Sequence, residues 1–255
     1  MGKLLVVGSV AFDTVKTPFG EVDDVLGGSA TYFSTAASFF TEVDLIAVVG
    51  KDFPEHHIEF LKSRGIDVSG LERRNGKTFR WKGEYTYQLN EAHTLDTQLN
   101  VLETFHPKIP AHYRDPDLLF LGNIDPELQM DVLNQVQRPK LVACDTMNFW
   151  IDGDKDALTK VIKDVDIVFM DEGESKTFSQ QTNLRQAAET IISLGPKAVV
   201  IKKGENGVLV NTSTMTFASP AFPVDNLVDP TGAVSYTHLR AHETEADLVC
   251  RLLLE

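Results

Sequence analysis

Short apolar runs recur along the chain and alternate with segments whose apolar residues have helical spacing. The runs are Lys3–Val7, Val43–Val49, Leu118–Leu121, Leu141–Ala143, Val165–Met170 and Ala198–Ile201. The helical segments between them are Thr31–Phe40, Phe53–Ser63, Pro126–Gln135, Leu158–Ile162 and Leu184–Ser193. Strands that alternate with helices of this size predict an α/β fold, with a doubly wound, mostly parallel sheet covered by helices on both faces.

One segment does not follow this alternation of buried strands and helices. From Phe79 to Leu89, apolar residues and glycine occupy the odd positions and polar residues the even ones, and a weaker version runs from Ser9 to Thr17. Alternation with a period of two is typical of a strand with one apolar and one wet face. The pattern predicts a small β-sheet built from about residues 9–26 and 77–100, serving either as a lid over a site or as a face for homodimerisation.

Composition narrows the class of protein. The 255 residues are 42% hydrophobic and 24% charged, as in an ordinary globular domain. No apolar stretch is long enough to span a membrane, and the run after Met1-Gly2-Lys3 is too short for a signal peptide, so we expect a cytoplasmic protein. The formal charge of −13 argues against a general nucleic-acid binder but not against a small anionic ligand.

The last 22 residues differ from the rest. Residues 234–255 read VSYTHLRAHET, Glu245-Ala246 and DLVCRLLLE, which resembles translated sequencing-adapter DNA. His238 and His242 have a spacing that can bind zinc, but Leu239 stands where the metalloprotease pattern needs Glu. We interpret this tail as non-native and exclude it from reasoning about the fold.

Two common nucleotide-binding motifs are absent from the sequence. No G-x-G-x-x-G follows the first strand, where a dinucleotide-binding fold would have it. No G-x-x-x-x-G-K-[ST] occurs anywhere, which excludes a P-loop ATPase.

The N-terminal part contains a candidate ligand-binding loop. Gly27-Gly28-Ser29 precedes an apolar helix, where glycines allow a ligand to approach free backbone amides. The alternative is a simple tight turn. Asp13 lies in the predicted small sheet and could accept hydrogen bonds from hydroxyl groups, or could be a solvated surface residue.

Three further segments follow strands in the second half of the chain. Asp171 and Glu174 suit a hydrated Mg²⁺, although acidic capping of the next helix explains them as well. Residues 202–207, KKGENG, form a hairpin-turn pattern that also offers a lysine and backbone amides to phosphates. Asp229-Pro230-Thr231-Gly232-Ala233 taken alone is only a turn signal.

In their order and spacing, these segments resemble the ribokinase/phosphofructokinase-B family of carbohydrate kinases over residues 3–233. The resemblance implies a ribokinase-like fold with a small β-sheet lid. Asp13, Gly27, Gly28 and Ser29 match the sugar-contacting positions of the family, and Gly50 and Asp52 match the residues after its next core strand. Asp145-Thr146-Met147-Asn148 resembles its D-x-N segment.

On the nucleotide side, the resemblance assigns ATP contacts to Lys203, Gly204, Glu205, Gly207, Thr231 and Gly232. Glu174, with Asp171 where the family usually has Asn, would organise Mg²⁺ through water. Gly232 and Ala233 match the anion hole of the D-T-x-G-A-G-D signature. Ser235 stands where that signature has its catalytic aspartate, and Val234 stands where it has glycine.

The resemblance implies that the intact parent transfers a phosphoryl group from ATP to a hydroxymethyl group of a sugar or nucleoside. We expect the present chain, which lacks the base and the C-terminal part of the domain, to be essentially inactive. Two alternatives stay open at this point: a non-catalytic sugar- or nucleotide-binding protein on the same fold, and an oxidoreductase on a dinucleotide-binding fold, which the missing glycine fingerprint disfavours.

Overall fold

The computed structural model describes residues 2–87 and 92–221. In chain order its strands are β1 (Lys3–Val7), β2 (Ala11–Thr17), β3 (Gly20–Gly27), β4 (Glu42–Gly50), β5 (Ile66–Arg74), β6 (Phe79–Tyr85), β7 (Ala92–Gln98), β8 (Leu118–Leu121), β9 (Leu141–Asp145), β10 (Ile167–Asp171), β11 (Ala198–Lys202), β12 (Val208–Thr212) and β13 (Thr216–Ser219). The helices are α1 (Ser29–Ala37), α2 (Glu55–Ser63), α3 (Pro126–Gln135), α4 (Asn148–Gly153), α5 (Lys155–Asp164), α6 (Glu172–Ser179) and α7 (Leu184–Ile192).

Nine strands form the large sheet in the order β13-β12-β11-β10-β9-β8-β1-β4-β5. The seven neighbouring strands β11, β10, β9, β8, β1, β4 and β5 pair in parallel. Strands β12 and β13 continue the sheet as an antiparallel meander. The apolar runs are therefore buried strands, as predicted. The edge strand β5 has no such run, because only one of its nine residues is fully buried, and the sequence pattern did not reveal it.

Alternate side chains of the large sheet enter two separate cores. Leu5 and Val7 pack with helices α3 to α7 on one face, whereas Leu4 and Val6 pack with α1 and α2 on the other. On that second face, the rings of Phe33 and Phe120 stack. The predicted doubly wound arrangement is confirmed, and it follows from strands that are apolar on both sides.

A separate four-stranded sheet has the order β3-β2-β6-β7, in which β2 and β6 pair in parallel. The predicted small sheet is therefore present. Strand β6 ends at Tyr85, earlier than the alternation to Leu89 suggests, and residues 88–91 lie outside the described part of the chain. Of the predicted apolar row, Tyr85 is buried, while Phe79 and Trp81 are only half-buried.

The helix bounds differ modestly from the predictions. The segment Thr31–Phe40 forms a helix that begins and ends earlier, at Ser29 and Ala37, whereas Pro126–Gln135 matches α3 at both ends. The second match has a local cause, since Asp125 caps α3 and Pro126 occupies its first turn. Within the described ranges, no helix is both long and apolar enough to cross a bilayer.

Candidate active site at the carboxyl edge of the sheet

Polar and small residues gather where the parallel strands end. They are Gly8 and Ser9 after β1, Asp52 after β4, Gly122 and Asn123 after β8, Asp145 on β9, Asp171 on β10 and Lys202 on β11. Because these strands run in the same direction, their carboxyl ends share one edge, which is where ligands bind in open α/β sheets.

The predicted loop Gly27-Gly28-Ser29 lies against the end of β1. The backbone N–H of Ser29 donates to Ser9 Oγ at 3.0 Å, the two hydroxyl oxygens are 3.1 Å apart, and Ala30 N donates to the Ser9 carbonyl at 3.0 Å. Gly28 has φ +95°, and a Cβ there would collide with the Ser9 carbonyl. This close approach requires glycine.

Asp13 is buried, with 5% of its surface exposed, so the interpretation as a solvated surface residue is wrong. Tyr32 Oη donates to its Oδ2 at 3.4 Å, and a Cβ on Gly27 would collide with the carboxylate. The register between β2 and β3 shifts between Asp13 and Val15, and such a bulge redirects side chains. The structure thus brings Asp13, Gly27, Gly28 and Ser29 together.

A polar junction connects the small sheet to the large one. Asp52 Oδ1 accepts hydrogen bonds of 2.7 Å from both the backbone N–H and the hydroxyl of Thr78, and its Oδ2 accepts from Arg80 at 3.2 Å. Arg80 also pairs with Asp24 and lies 4.9 Å from the ring of Phe12. Burial by itself raises the pKa of Asp52, but these hydrogen bonds outweigh it and lower the pKa below its usual value.

At the other end of the edge, Lys202 and Asp145 form a buried ion pair with Nζ and Oδ1 2.9 Å apart. Both side chains are less than a tenth exposed. Burial alone would lower the pKa of Lys202, but attraction to Asp145, Glu174 and Asp171 prevails and raises it. The ammonium is therefore fixed and charged.

Asp171 and Glu174 form a reciprocal capping box at the start of α6. Glu174 N donates to Asp171 Oδ1 at 2.7 Å, and Asp171 N donates to Glu174 Oε2 at 2.6 Å. The predicted capping role is confirmed. Burial, together with repulsion from Asp171 and Asp145, outweighs the attraction of Lys202 and raises the pKa of Glu174 to about 8.

The segment from Lys203 to Gly207 forms the predicted hairpin turn between β11 and β12. Lys203 N donates to the Gly207 carbonyl at 2.8 Å, and Gly204 and Gly207 both have positive φ. Glu205 is exposed at the turn, and Lys203 is half-buried, unlike its neighbour Lys202. Thr231, Gly232, Ala233 and Ser235, together with the tail, lie outside the described residues.

Residues 1–233 match the model of the pfkB family of carbohydrate kinases. The chain belongs to this family. The sequence resemblance is thereby confirmed, and a dinucleotide-fold oxidoreductase is excluded by the family assignment.

This family member is similar in sequence to a known relative and similar in fold to solved structures. A cytidine kinase from Thermococcus kodakarensis is 29% identical over 235 residues, which cover 90% of this chain and 83% of the relative. A Burkholderia thailandensis nucleoside kinase in complex with inosine superposes with a TM-score of 0.74 at 16% identity, covering 92% of this chain and 80% of that one. An E. coli structure described as ribokinase II in complex with ATP and Mg²⁺ gives a TM-score of 0.70 at 18% identity, covering 99% and 87%.

The donor set of this pfkB member fits a hydrated Mg²⁺ better than a fully protein-bound one. Among the residues that the structure describes, no group of three or more His, Cys, Asp or Glu side chains is arranged to hold a metal. One oxygen of Asp171 and one of Glu174 already accept backbone N–H groups. The carboxylates therefore suit contact through water, with the remaining ligands supplied by a nucleotide, as is usual for Mg²⁺.

Two residues that support the site were not predicted. Lys202 directly follows an apolar run, which is a visible signal, but the sequence does not distinguish it from Lys203. Gln129 on α3 is 1% exposed and donates from Nε2 to the carbonyls of Gly122 at 2.9 Å and Asp145 at 3.1 Å, so it fastens the ends of β8 and β9 together. A single glutamine on a helix carries no sequence signal for this role.

Proposed function

We propose that the intact parent of this chain transfers the γ-phosphoryl group of ATP to a hydroxymethyl group of a nucleoside or sugar. The observation that carries the proposal is the layout of the sheet edge: a cluster of small and polar residues around Asp13 and Ser29 at one end, and buried charges around Lys202 at the other. Phosphoryl transfer depends on positioning and charge neutralisation, which such an edge can supply.

At the acceptor end, Asp13 would accept hydrogen bonds from substrate hydroxyls, and the backbone at Gly27 and Gly28 would let the substrate approach closely. The carboxyl group is held against Gly27 and Tyr32, so little ordering is needed on binding. The small sheet would close over this end as a lid and exclude water, which competes as acceptor.

At the nucleotide end, Lys203, Gly204, Glu205 and Gly207 would contact ATP, together with Thr231 and Gly232. Glu174 and Asp171 would hold Mg²⁺ through water, and the bound ion supplies charge neutralisation for the phosphates. Gly232 and Ala233 would form the anion hole.

A nucleoside is the acceptor class that the relatives support, since both a cytidine kinase and an inosine-bound nucleoside kinase resemble this chain. The test is calorimetric binding of cytidine, inosine, adenosine, ribose and fructose, followed by a coupled assay for ADP. Nucleoside-dependent turnover by the restored parent supports the proposal. Binding without turnover in that parent would favour a non-catalytic binder instead.

We further propose that residues 1–233 form the kinase domain, that residues 234–255 are not native, and that the protein is cytoplasmic. Ser235 cannot act as the aspartate base of the family signature, and loss of a general base costs about 10²–10⁴ in rate. The genomic sequence after Ala233 tests this directly: Gly-Asp is expected, and a genomic Val-Ser would overturn it.

A further inference from the structure

Lys202 occupies a position where the large sheet otherwise buries apolar side chains. All five residues of β11 are buried, and the first four are Ala, Val, Val and Ile. Burying an ammonium group costs several kcal/mol unless the protein compensates the charge. The compensation is visible as the ion pair with Asp145 at 2.9 Å.

The path of this side chain is set by the sheet order β11-β10-β9. Lys202 is in register with Asp171 on β10, yet its Nζ contacts Asp145 on the far side of that strand. The side chain therefore crosses the end of β10 directly beside the capping box of Asp171 and Glu174. One ammonium lies in the field of three carboxylates.

Formally, these three carboxylates and one ammonium carry a net charge of −2. Backbone hydrogen bonds alone do not neutralise buried carboxylates, so a cation close to them stabilises the site. Lys202 supplies a permanent positive charge in that place, before any ligand arrives.

We propose that Lys202 is a positioning residue that acts as the resident cation of this site. By holding Asp145 and sharing the field of Asp171 and Glu174, it prevents the site from taking up a divalent cation alone, so that Mg²⁺ enters together with a nucleotide whose phosphates add negative charge. This inference rests on the proposed function, because it assumes that the acidic pair faces Mg²⁺–nucleotide.

The test is a calorimetric titration of the full chain with MgCl₂ in the absence of nucleotide. Lys202→Met is compared with Lys163→Met, which removes the same charge from an exposed residue in the last turn of α5. We expect Lys202→Met to bind Mg²⁺ at least about tenfold more tightly than the wild type. Lys163→Met should match the wild type. Equal Mg²⁺ affinity in the two variants overturns the inference.

Two more variants separate charge from structure. Lys202→Met combined with Asp145→Asn restores the formal charge of −2 and should return Mg²⁺ affinity to that of the wild type, as should Lys202→Arg. If Lys202→Met unfolds in Mg²⁺-free buffer, MgCl₂ should raise its melting temperature and leave that of Lys163→Met unchanged; no rise overturns the inference.

The experiments distinguish a failure of the proposed kinase function from a failure of the inference about Lys202. Failure of the restored parent to bind ATP with Mg²⁺ would count against the proposed function, whatever the Lys202 variants do. Normal binding of ATP with Mg²⁺ together with equal Mg²⁺ affinities in the two lysine variants would count against the inference alone.

Discussion

At the scale of single residues, the acceptor end of the site depends on close contacts between small residues and one carboxylate. Asp13 lies against Gly27, and Gly28 lies against the Ser9 carbonyl, so neither glycine can carry a side chain without displacing its neighbour. These contacts hold the carboxylate in place before any ligand binds.

Asp13→Asn keeps the shape of the side chain and removes its charge. We expect its affinity for nucleosides, measured by calorimetry, to fall about 10- to 100-fold, because a hydrogen bond to a charged acceptor contributes about 1.5–3 kcal/mol. Asp23→Asn is the matched control, since Asp23 is exposed on the neighbouring strand β3. Equal losses in both variants would contradict the proposed role of Asp13.

A second prediction at this scale concerns the contribution of Asp52 to the stability of the fold. Its pKa is lowered in the folded state, so its contribution is fully present above the unfolded carboxyl pKa and is lost as the pH falls through the folded value. Asp52→Asn should lower the free energy of unfolding by about 1–2 kcal/mol at pH 7.

The difference between Asp52→Asn and the wild type should shrink below about pH 4, as the wild-type carboxylate takes up its proton. Urea denaturation at both pH values measures this difference, with Asp23→Asn as the control. A difference that stays constant with pH would show that the charge of Asp52 does not stabilise the junction with Thr78 and Arg80.

At the scale of elements, helix α6 combines a structural role with a proposed functional one. Asp171 and Glu174 cap its N-terminus with two reciprocal hydrogen bonds, and the same carboxylates are the proposed partners of hydrated Mg²⁺. A capping box holds both groups in one orientation, which a metal site on a flexible loop would lack.

Asp171→Ala should destabilise the protein by about 1 kcal/mol, because it removes the cap of α6, whereas Asp171→Asn should retain most of the stability. Thermal and urea denaturation measure both effects. If Asp171→Asn keeps the stability but weakens binding of ATP with Mg²⁺, the residue has a role beyond capping; unchanged binding would limit Asp171 to the cap.

At the scale of the whole molecule, the small sheet presents apolar side chains to solvent. Phe19 is 63% exposed and Tyr87 84%, and their rings meet edge to face at 6.4 Å. Val22 and Leu95 on the same sheet are also exposed. We propose that this surface forms a homodimer, because paired aromatic residues are typical of interface cores.

Phe19→Ser combined with Tyr87→Ser should convert a dimer into a monomer in size-exclusion chromatography with light scattering. Phe149→Ser is the matched control, since Phe149 is 64% exposed but lies on α4, away from the small sheet. A wild type that is monomeric at every concentration, or a control that dissociates equally, would reject this interface.

The sequence by itself determined the class of the fold and the family. A strand that is apolar on both faces is typical of a parallel sheet covered by helices on both sides. For this reason, Leu4 to Val7 could be assigned to a buried strand from the sequence alone. The ordered motifs from Asp13 to Ala233 indicated the kinase family, which the match over residues 1–233 confirms.

Only the tertiary structure decided which charged residues are buried and what they contact. Lys202 and Asp145 are 57 residues apart, and they meet because β11, β10 and β9 are neighbours in the sheet. Periodicity along the chain indicates which face of a strand is buried, but it does not indicate which strands lie next to it in the sheet. For the same reason, the sequence could not distinguish Lys202 from Lys203, or a solvated Asp13 from one held between Gly27 and Tyr32.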